Sequence, residues 1–304
     1  MNRRNLLTAA GLSAAAPAMA GAAEPSARRH AMLGLDSLVA AADGTGIYVS
    51  DWGEGRPVVF MASLGVPSDM WDYQRLPLSG QGLRCIAYDR RGHGRSSVPG
   101  GGYDFDTLAD DLASVLDALD LRDAVLVGHS LASGEMVRYV TRHGTGRVSK
   151  LVFAAPAATP EVLQSPTNPA GPTAQQFQAF LDGVIAKGFP VWIAENQGPF
   201  FVPETPPEIR LWLVQMMMRT PLKPYYDCNR TLASSRFTEE LQAIRLPSLV
   251  IHGDKDVSTP VERGRRTAAL IPGGQFILYE GAPHGLFITH RDRFKADLLA
   301  FIKA

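Results

Sequence analysis

The residues best placed to do chemistry lie in Ala124-Val125-Leu126-Val127-Gly128-His129-Ser130-Leu131-Ala132. An apolar run enters a glycine, passes one residue to a serine, and leaves directly into a helical stretch. Such a sharp strand-to-helix turn exposes the serine hydroxyl above a sheet edge, where it can attack an acyl carbonyl. The following helix directs its N-terminus, and the Leu131 N–H, at the oxyanion that attack creates. A glycine-x-serine-x-glycine pattern alone is weak, because a serine here could simply cap the helix. The strand before it and the helix after it favour the nucleophile. Ala132 replaces the second glycine and is still small enough for close helix–strand contact.

A serine hydroxyl needs a base, and the base needs a partner that fixes its tautomer. Both are expected on loops after later strands, in the order serine, acid, histidine. His284 lies in Glu280-Gly281-Ala282-Pro283-His284-Gly285, after the apolar run 275–279. Two acids, Asp254 and Asp256, compete in the loop after residues 248–252. Asp256 lies deeper in that loop, four residues before Pro260, and is preferred; Asp254 suits holding the loop's backbone. His129 adjoins Ser130, with its side chain expected to point elsewhere. His93, in a glycine-rich loop, reads as structural.

The elements that must position these groups alternate along the chain. Compact apolar runs at 47–51, 57–62, 83–88, 124–127, 150–154, 248–252 and 275–279 predict strands. Apart from the first two, they alternate too little to be half-exposed and suit strands covered on both faces. Helical spacing of apolar residues predicts helices at 107–119, 131–143, 261–270 and 293–302. This is an α/β pattern, with a mostly parallel sheet flanked by helices. Residues 157–236 break the rhythm, with many prolines, no good strand and helical blocks at 175–187 and 208–219. They read as a helical cap inserted between two parts of one core, 24–156 and 237–304. Its inner face is expected to form an apolar pocket, for which Trp192, Phe200, Phe201, Trp212 and Met216 are candidates.

With 304 residues, 45% of them hydrophobic, the chain can bury a large core without staples. Thirty basic residues balance thirty acidic ones, leaving no electrostatic footprint for nucleic acid. Cys85 and Cys228 are far apart, with no metal-binding cluster, so neither a metal site nor a disulfide is expected. Residues 1–23 read as an export signal: Arg3-Arg4, a weak apolar stretch from Leu6, then Ala18-Met19-Ala20. Paired arginines there are a twin-arginine pattern, which makes that export machinery the expected partner during secretion and the periplasm or exterior the expected location. The apolar stretch is shorter than the ~20 residues of a comfortable membrane span, so no stable membrane insertion is expected.

Residues 37 to 304 resemble the cofactor-free haloperoxidase, perhydrolase and aryl-esterase branch of the α/β-hydrolases. The likeness rests on Asp43-Gly44-Thr45 with Asp51-Trp52-Gly53, on Asp89-Arg90-Arg91-Gly92-His93-Gly94-Arg95-Ser96-Ser97, and on Gly128-His129-Ser130. It rests too on Gly281-Ala282-Pro283-His284-Gly285-Leu286 and on the C-terminal Asp297-Leu298-Leu299-Ala300-Phe301-Ile302. The resemblance implies an α/β-hydrolase fold without cofactor and puts nucleophile, acid and base on Ser130, Asp256 and His284. The branch usually carries a histidine-glycine-aromatic-proline segment after its third strand. Here the segment is Met61-Ala62-Ser63-Leu64-Gly65, closer to a form found in enol-lactone hydrolases, and by position Leu64 N–H is the second oxyanion donor. Without the proline, Gly65 is expected to be free to relax. The expectation is therefore hydrolysis of a small hydrophobic or aromatic carboxylic ester or lactone, with perhydrolysis or halide oxidation by the same triad as the alternative.

Overall fold

Eight short strands carry the apolar runs in the computed structural model, which describes residues 37–304. The predicted export signal lies outside the described residues. The strands are β1 Leu38–Ala40, β2 Gly46–Trp52, β3 Arg56–Met61, β4 Leu83–Tyr88, β5 Ala124–His129, β6 Val148–Ala154, β7 Ser248–Gly253 and β8 Gln275–Tyr279. They form one sheet in the order β1-β2-β4-β3-β5-β6-β7-β8. The pairs β1–β2 and β2–β4 are antiparallel, and every later pair is parallel.

The crossovers carry α1 Asp72–Ser79, α2 Phe105–Ala118 and α3 Ala132–His143. Between β6 and β7 lie α4 Ala174–Lys187, α5 Phe189–Asn196, α6 Pro207–Met218, α7 Leu222–Ala233 and α8 Thr238–Ala243. The chain ends with α9 Val261–Leu270, α10 Leu286–Thr289 and α11 Arg291–Lys303. Leu108, Leu112, Val115 and Leu116 bury one face of α2, each contributing roughly 1.5–3 kcal/mol of apolar transfer. Asp104 caps that helix by accepting from the Thr107 N–H.

Every residue of β5 and β7 is buried, as near-continuous apolar runs require. β8 departs from that expectation. Gln275 is exposed and only Tyr279 is fully buried, because β8 closes the sheet and has a neighbour on one side only. Neither β1 nor α1 is predicted from sequence. The first is three residues long, too short for a periodicity, and the second carries Pro77 in its interior.

The register sets up the site. Met61 pairs with Gly128, His129 with Ala154, Ala154 with Ile251, and Gly253 with Tyr279. The carboxyl ends of β3, β5, β6, β7 and β8 therefore finish level. The loops that follow them all open on one edge of the sheet, where ligands bind in such folds.

Candidate active site

Ser130 follows β5 directly, with φ of 58°. A non-glycine residue in this region stores about 1–3 kcal/mol of strain, and its surroundings hold it there. The Ser130 N–H donates to Ala154 O at 3.0 Å, while its carbonyl accepts from Ser133 N–H at 3.1 Å, Ser133 Oγ at 2.7 Å and Ala157 N–H at 3.1 Å. A side chain at Gly128 would meet Met136 at 2.8 Å and the Ala132 methyl at 3.2 Å. Ala132 is thus accommodated where the pattern usually has glycine.

His284 follows β8. Its N–H donates to Pro199 O at 3.0 Å and its carbonyl accepts from His129 Nε2 at 2.9 Å, so its backbone is fixed from two sides. Its Nδ1 donates to Asp256 Oδ2 at 2.6 Å. That bond leaves Nε2 with the lone pair, the tautomer a general base needs. Asp256 is fully enclosed. Oδ1 accepts from the N–H groups of Ser258 at 2.9 Å and Thr259 at 2.8 Å, and Oδ2 accepts from both His284 and, at 3.1 Å, His252 Nε2. Burial alone would raise this carboxyl, but the electrostatic pull of His284 and the hydrogen bonds of the two histidines outweigh it and hold it well below the ordinary carboxylate range. Asp254 instead accepts from Gly281 N–H at 2.7 Å, tying two loops together.

The other histidines are committed elsewhere. His129 is buried, and desolvation together with the nearby His284 pushes its pKa far down. Its Nε2 is used on the His284 carbonyl. His252, on β7, spreads one N–H between Asp256 Oδ2 and Thr259 O, and so positions the acid. The sequence reading missed it. A histidine inside a fully buried strand needs a polar partner, and that was the available signal.

The Leu64 and Leu131 N–H groups make no hydrogen bond among the described residues, and Ser63, Leu64 and Gly65 line the same cavity as Ser130 and His284. What holds this segment is the loop after β4. Arg90 donates to Ala62 O at 2.7 Å, to Ser63 O at 3.1 Å and to Glu135 Oε1 of α3 at 2.5 Å. His93 donates from Nδ1 to Arg91 O and accepts the Gly65 N–H on Nε2 at 3.1 Å. Burial and the adjacent Arg90 push the His93 pKa down to about 3, so the ring stays a neutral acceptor.

This corrects one sequence expectation: Gly65 is not free to relax. Its φ is +76°, its carbonyl accepts from Thr220 Oγ1 at 2.9 Å, and a Cβ would stand 3.2 Å from the Tyr225 ring. Proline at this position would remove the N–H that His93 binds and demand the opposite sign of φ. Gly65→Pro is therefore expected to lose about 3 kcal/mol or more of stability, and any acyl-transfer activity with it. A calorimetric midpoint and an ester assay check this; a stable, active variant would refute the pinned geometry.

The cavity above these groups has a volume of about 710 Å³. Trp192 and Phe200 line it, with Phe177, Phe180, Met217 and Tyr225. Phe201, Trp212 and Met216, expected there from sequence, do not. Phe201 and Met216 are buried in the core, and Trp212 packs edge-on against Tyr73. Met216 and Met217 differ by one residue, about 100° around α6, and that helix is too evenly apolar for its sequence to show which face turns inward.

A model of the alpha/beta hydrolase family matches residues 58–297. The chain belongs to that family. It is 39% identical to a non-heme haloperoxidase of Rhodococcus erythropolis over 273 residues, covering 88% of this chain and 99% of that protein. A bifunctional esterase/perhydrolase of Acinetobacter calcoaceticus is 36% identical over 276 residues, covering 88% of this chain and 99% of the relative. Among solved structures, an esterase from Exiguobacterium antarcticum superposes with a TM-score of 0.85 at 30% identity, over 89% of this chain and all of that one. This α/β-hydrolase therefore has full-length relatives whose names cover both ester cleavage and peroxide chemistry.

Proposed function

We propose that this α/β-hydrolase cleaves carboxylic esters through an acyl-enzyme on Ser130, and that either water or hydrogen peroxide can take the acyl group. The observation that carries the reading is the chain of contacts at the sheet edge. Ser130, held at positive φ, shares a cavity with His284, whose Nδ1 is bound to an anionic Asp256.

Ser130 Oγ attacks the ester carbonyl while His284 Nε2 takes its proton, and the Leu64 and Leu131 N–H groups hold the oxyanion. Collapse breaks the carbon–oxygen bond of the ester, and the alcohol leaves with the proton from His284. Water then attacks the acyl-enzyme, again giving its proton to His284. The bond from the acyl carbon to Ser130 Oγ breaks, Oγ takes the proton back from His284, and the acid is released. Hydrogen peroxide in place of water gives the peracid by the same bond changes. The helical insertion, residues 157–236, serves as the cap over the acyl group.

The peroxide branch deserves equal standing for two reasons. The proline that the branch usually carries is absent, but Gly65 is not left free by its absence: its N–H and carbonyl are held by His93 and Thr220. The Acinetobacter relative is named for both activities. A p-nitrophenyl ester series, with aryl esters and lactones beside it, is expected to show turnover that a fluorophosphonate abolishes by labelling Ser130. With saturating peroxide, the same acyl donor is expected to yield peracid and acid together. Turnover that survives complete labelling of Ser130 would defeat the acyl-enzyme reading, and acid alone would remove the peroxide branch.

A further inference from the structure

The insertion makes much of the cavity apolar, through side chains such as Phe177, Trp192 and Tyr225, but α9 adds two arginines at i and i+3, Arg263 and Arg266. Arg266 is neutralised, with Nη2 2.8 Å from Glu161. Glu262, also at the cavity, is exposed and pairs with Arg265 at 3.3 Å. Arg263 differs from both. Among the described residues no carboxylate lies within ion-pair distance of it, and its one hydrogen bond to protein runs from Nη1 to Ala157 O at 3.0 Å.

A guanidinium has five donors in a planar fork, so four of these are unused by the protein. A half-buried cation without an anion is an expensive arrangement to retain for packing alone. Burial, and then the charge of Arg266, lowers its pKa to about 10, so it is charged at neutral pH. Asp256 and Glu161 are close enough to be felt, but Asp256 is already bound to His284, His252 and two N–H groups, and Glu161 to Arg266 and Thr167. Ala157 places the cation relative to the chemistry. Its carbonyl holds Arg263 while its N–H holds the Ser130 carbonyl at 3.1 Å. The guanidinium therefore stands one residue from the nucleophile's main chain, on the order of 10 Å away.

We propose that Arg263 anchors a carboxylate subsite, and that the preferred acyl donor carries a second, free carboxylate at the far end of an apolar segment. This rests on the acyl-transfer reading above. A planar fork binds a carboxylate through two parallel N–H···O bonds, while the aromatic side chains of the cavity cover the methylenes between the two ends. An uncharged ester of equal length would leave the cation unpaired, which is the asymmetry that gives a site strong discrimination.

The test compares monomethyl succinate, glutarate and adipate with neutral methyl esters of matched length, in wild type, Arg263→Met and Arg263→Lys. The quantity read is the ratio of kcat/KM for the anionic ester to that for its neutral partner. Wild type is expected to favour the anionic ester at the best length, and Arg263→Met to reduce the ratio by about 100-fold, with Arg263→Lys between. Free adipate should also inhibit wild-type cleavage of p-nitrophenyl acetate far more than hexanoate does, a comparison that needs no variant. A wild-type ratio at or below one, or a ratio that Arg263→Met leaves unmoved, would overturn the subsite while the neutral ester still reports a working hydrolase. Wild-type inertness to every ester would instead overturn the acyl-transfer reading, and the subsite with it.

Discussion

Asp256→Asn is expected to reduce kcat by about 10⁴ while leaving the fold in place, whereas Asp254→Asn should cost less than tenfold. The asymmetry follows from the four hydrogen bonds on Asp256. Two backbone N–H groups, of Ser258 and Thr259, meet Oδ1, and two imidazole N–H groups meet Oδ2. An asparagine must keep its one carbonyl oxygen toward the backbone donors. Its NH₂ then faces two imidazoles, and donors cannot bond to donors. His284 escapes by moving its proton to Nε2, which destroys the lone pair that Ser130 needs. Asp254 accepts one bond, from Gly281 N–H, and an asparagine oxygen accepts it equally well. Steady-state kinetics on a p-nitrophenyl ester, with circular dichroism as the fold control, decide the matter; equal losses in the two variants would contradict it.

Glu135→Leu is expected to destabilise the protein by about 3–5 kcal/mol, because it leaves the Arg90 guanidinium buried without its counter-ion. For a domain of this size that corresponds to a fall in Tm of roughly 10 °C. Replacing both members, Arg90→Met with Glu135→Leu, should recover much of that stability, since a buried ion pair and a well-packed apolar pair are often near equal. Activity should not follow. Arg90 also donates to the Ala62 and Ser63 carbonyls, which fix the segment that presents the Leu64 N–H. Losing one well-placed oxyanion donor costs about 10²–10³ in kcat, so the double variant should be stable and slow. Tm and kcat measured side by side separate the two contributions, and a double variant with wild-type kcat would show that Arg90 has no hold on the oxyanion segment.

The sequence exposes whatever is written in contiguous spacing. The approach of β5 to Ser130, the small Gly128 and Ala132, and the loops ending in Asp256 and His284 are all local patterns, and the sheet order brings them to one edge. Residues that act at a distance leave no such mark. Arg90 touches Ala62, Ser63 and Glu135 across 27 to 45 positions. His93 reads as structural from its glycine-rich loop, but its structural task, holding Gly65, shows only in space. Helix interiors hide their facing for a different reason. α6 carries apolar residues around most of its circumference, interrupted only by Glu208, Arg210 and Gln215, so periodicity does not tell the cavity-lining Met217 from Met216, or show that Trp212 turns toward Tyr73.

The division of labour along the chain has an evolutionary consequence. Ser130, Asp256 and His284 sit on loops anchored by the sheet, while Phe177, Trp192, Met217 and Tyr225 come from the single stretch between β6 and β7. A duplicated copy can therefore drift across that stretch, exchanging one substrate for another, while its reaction stays the same. The drift has a fixed point. Pro199 O receives the His284 N–H, and the Phe200 backbone packs so tightly against Gly285 that no side chain could stand there. Those two neighbouring positions of the insertion answer to the base rather than to the substrate, and they should change slowest as specificities diverge.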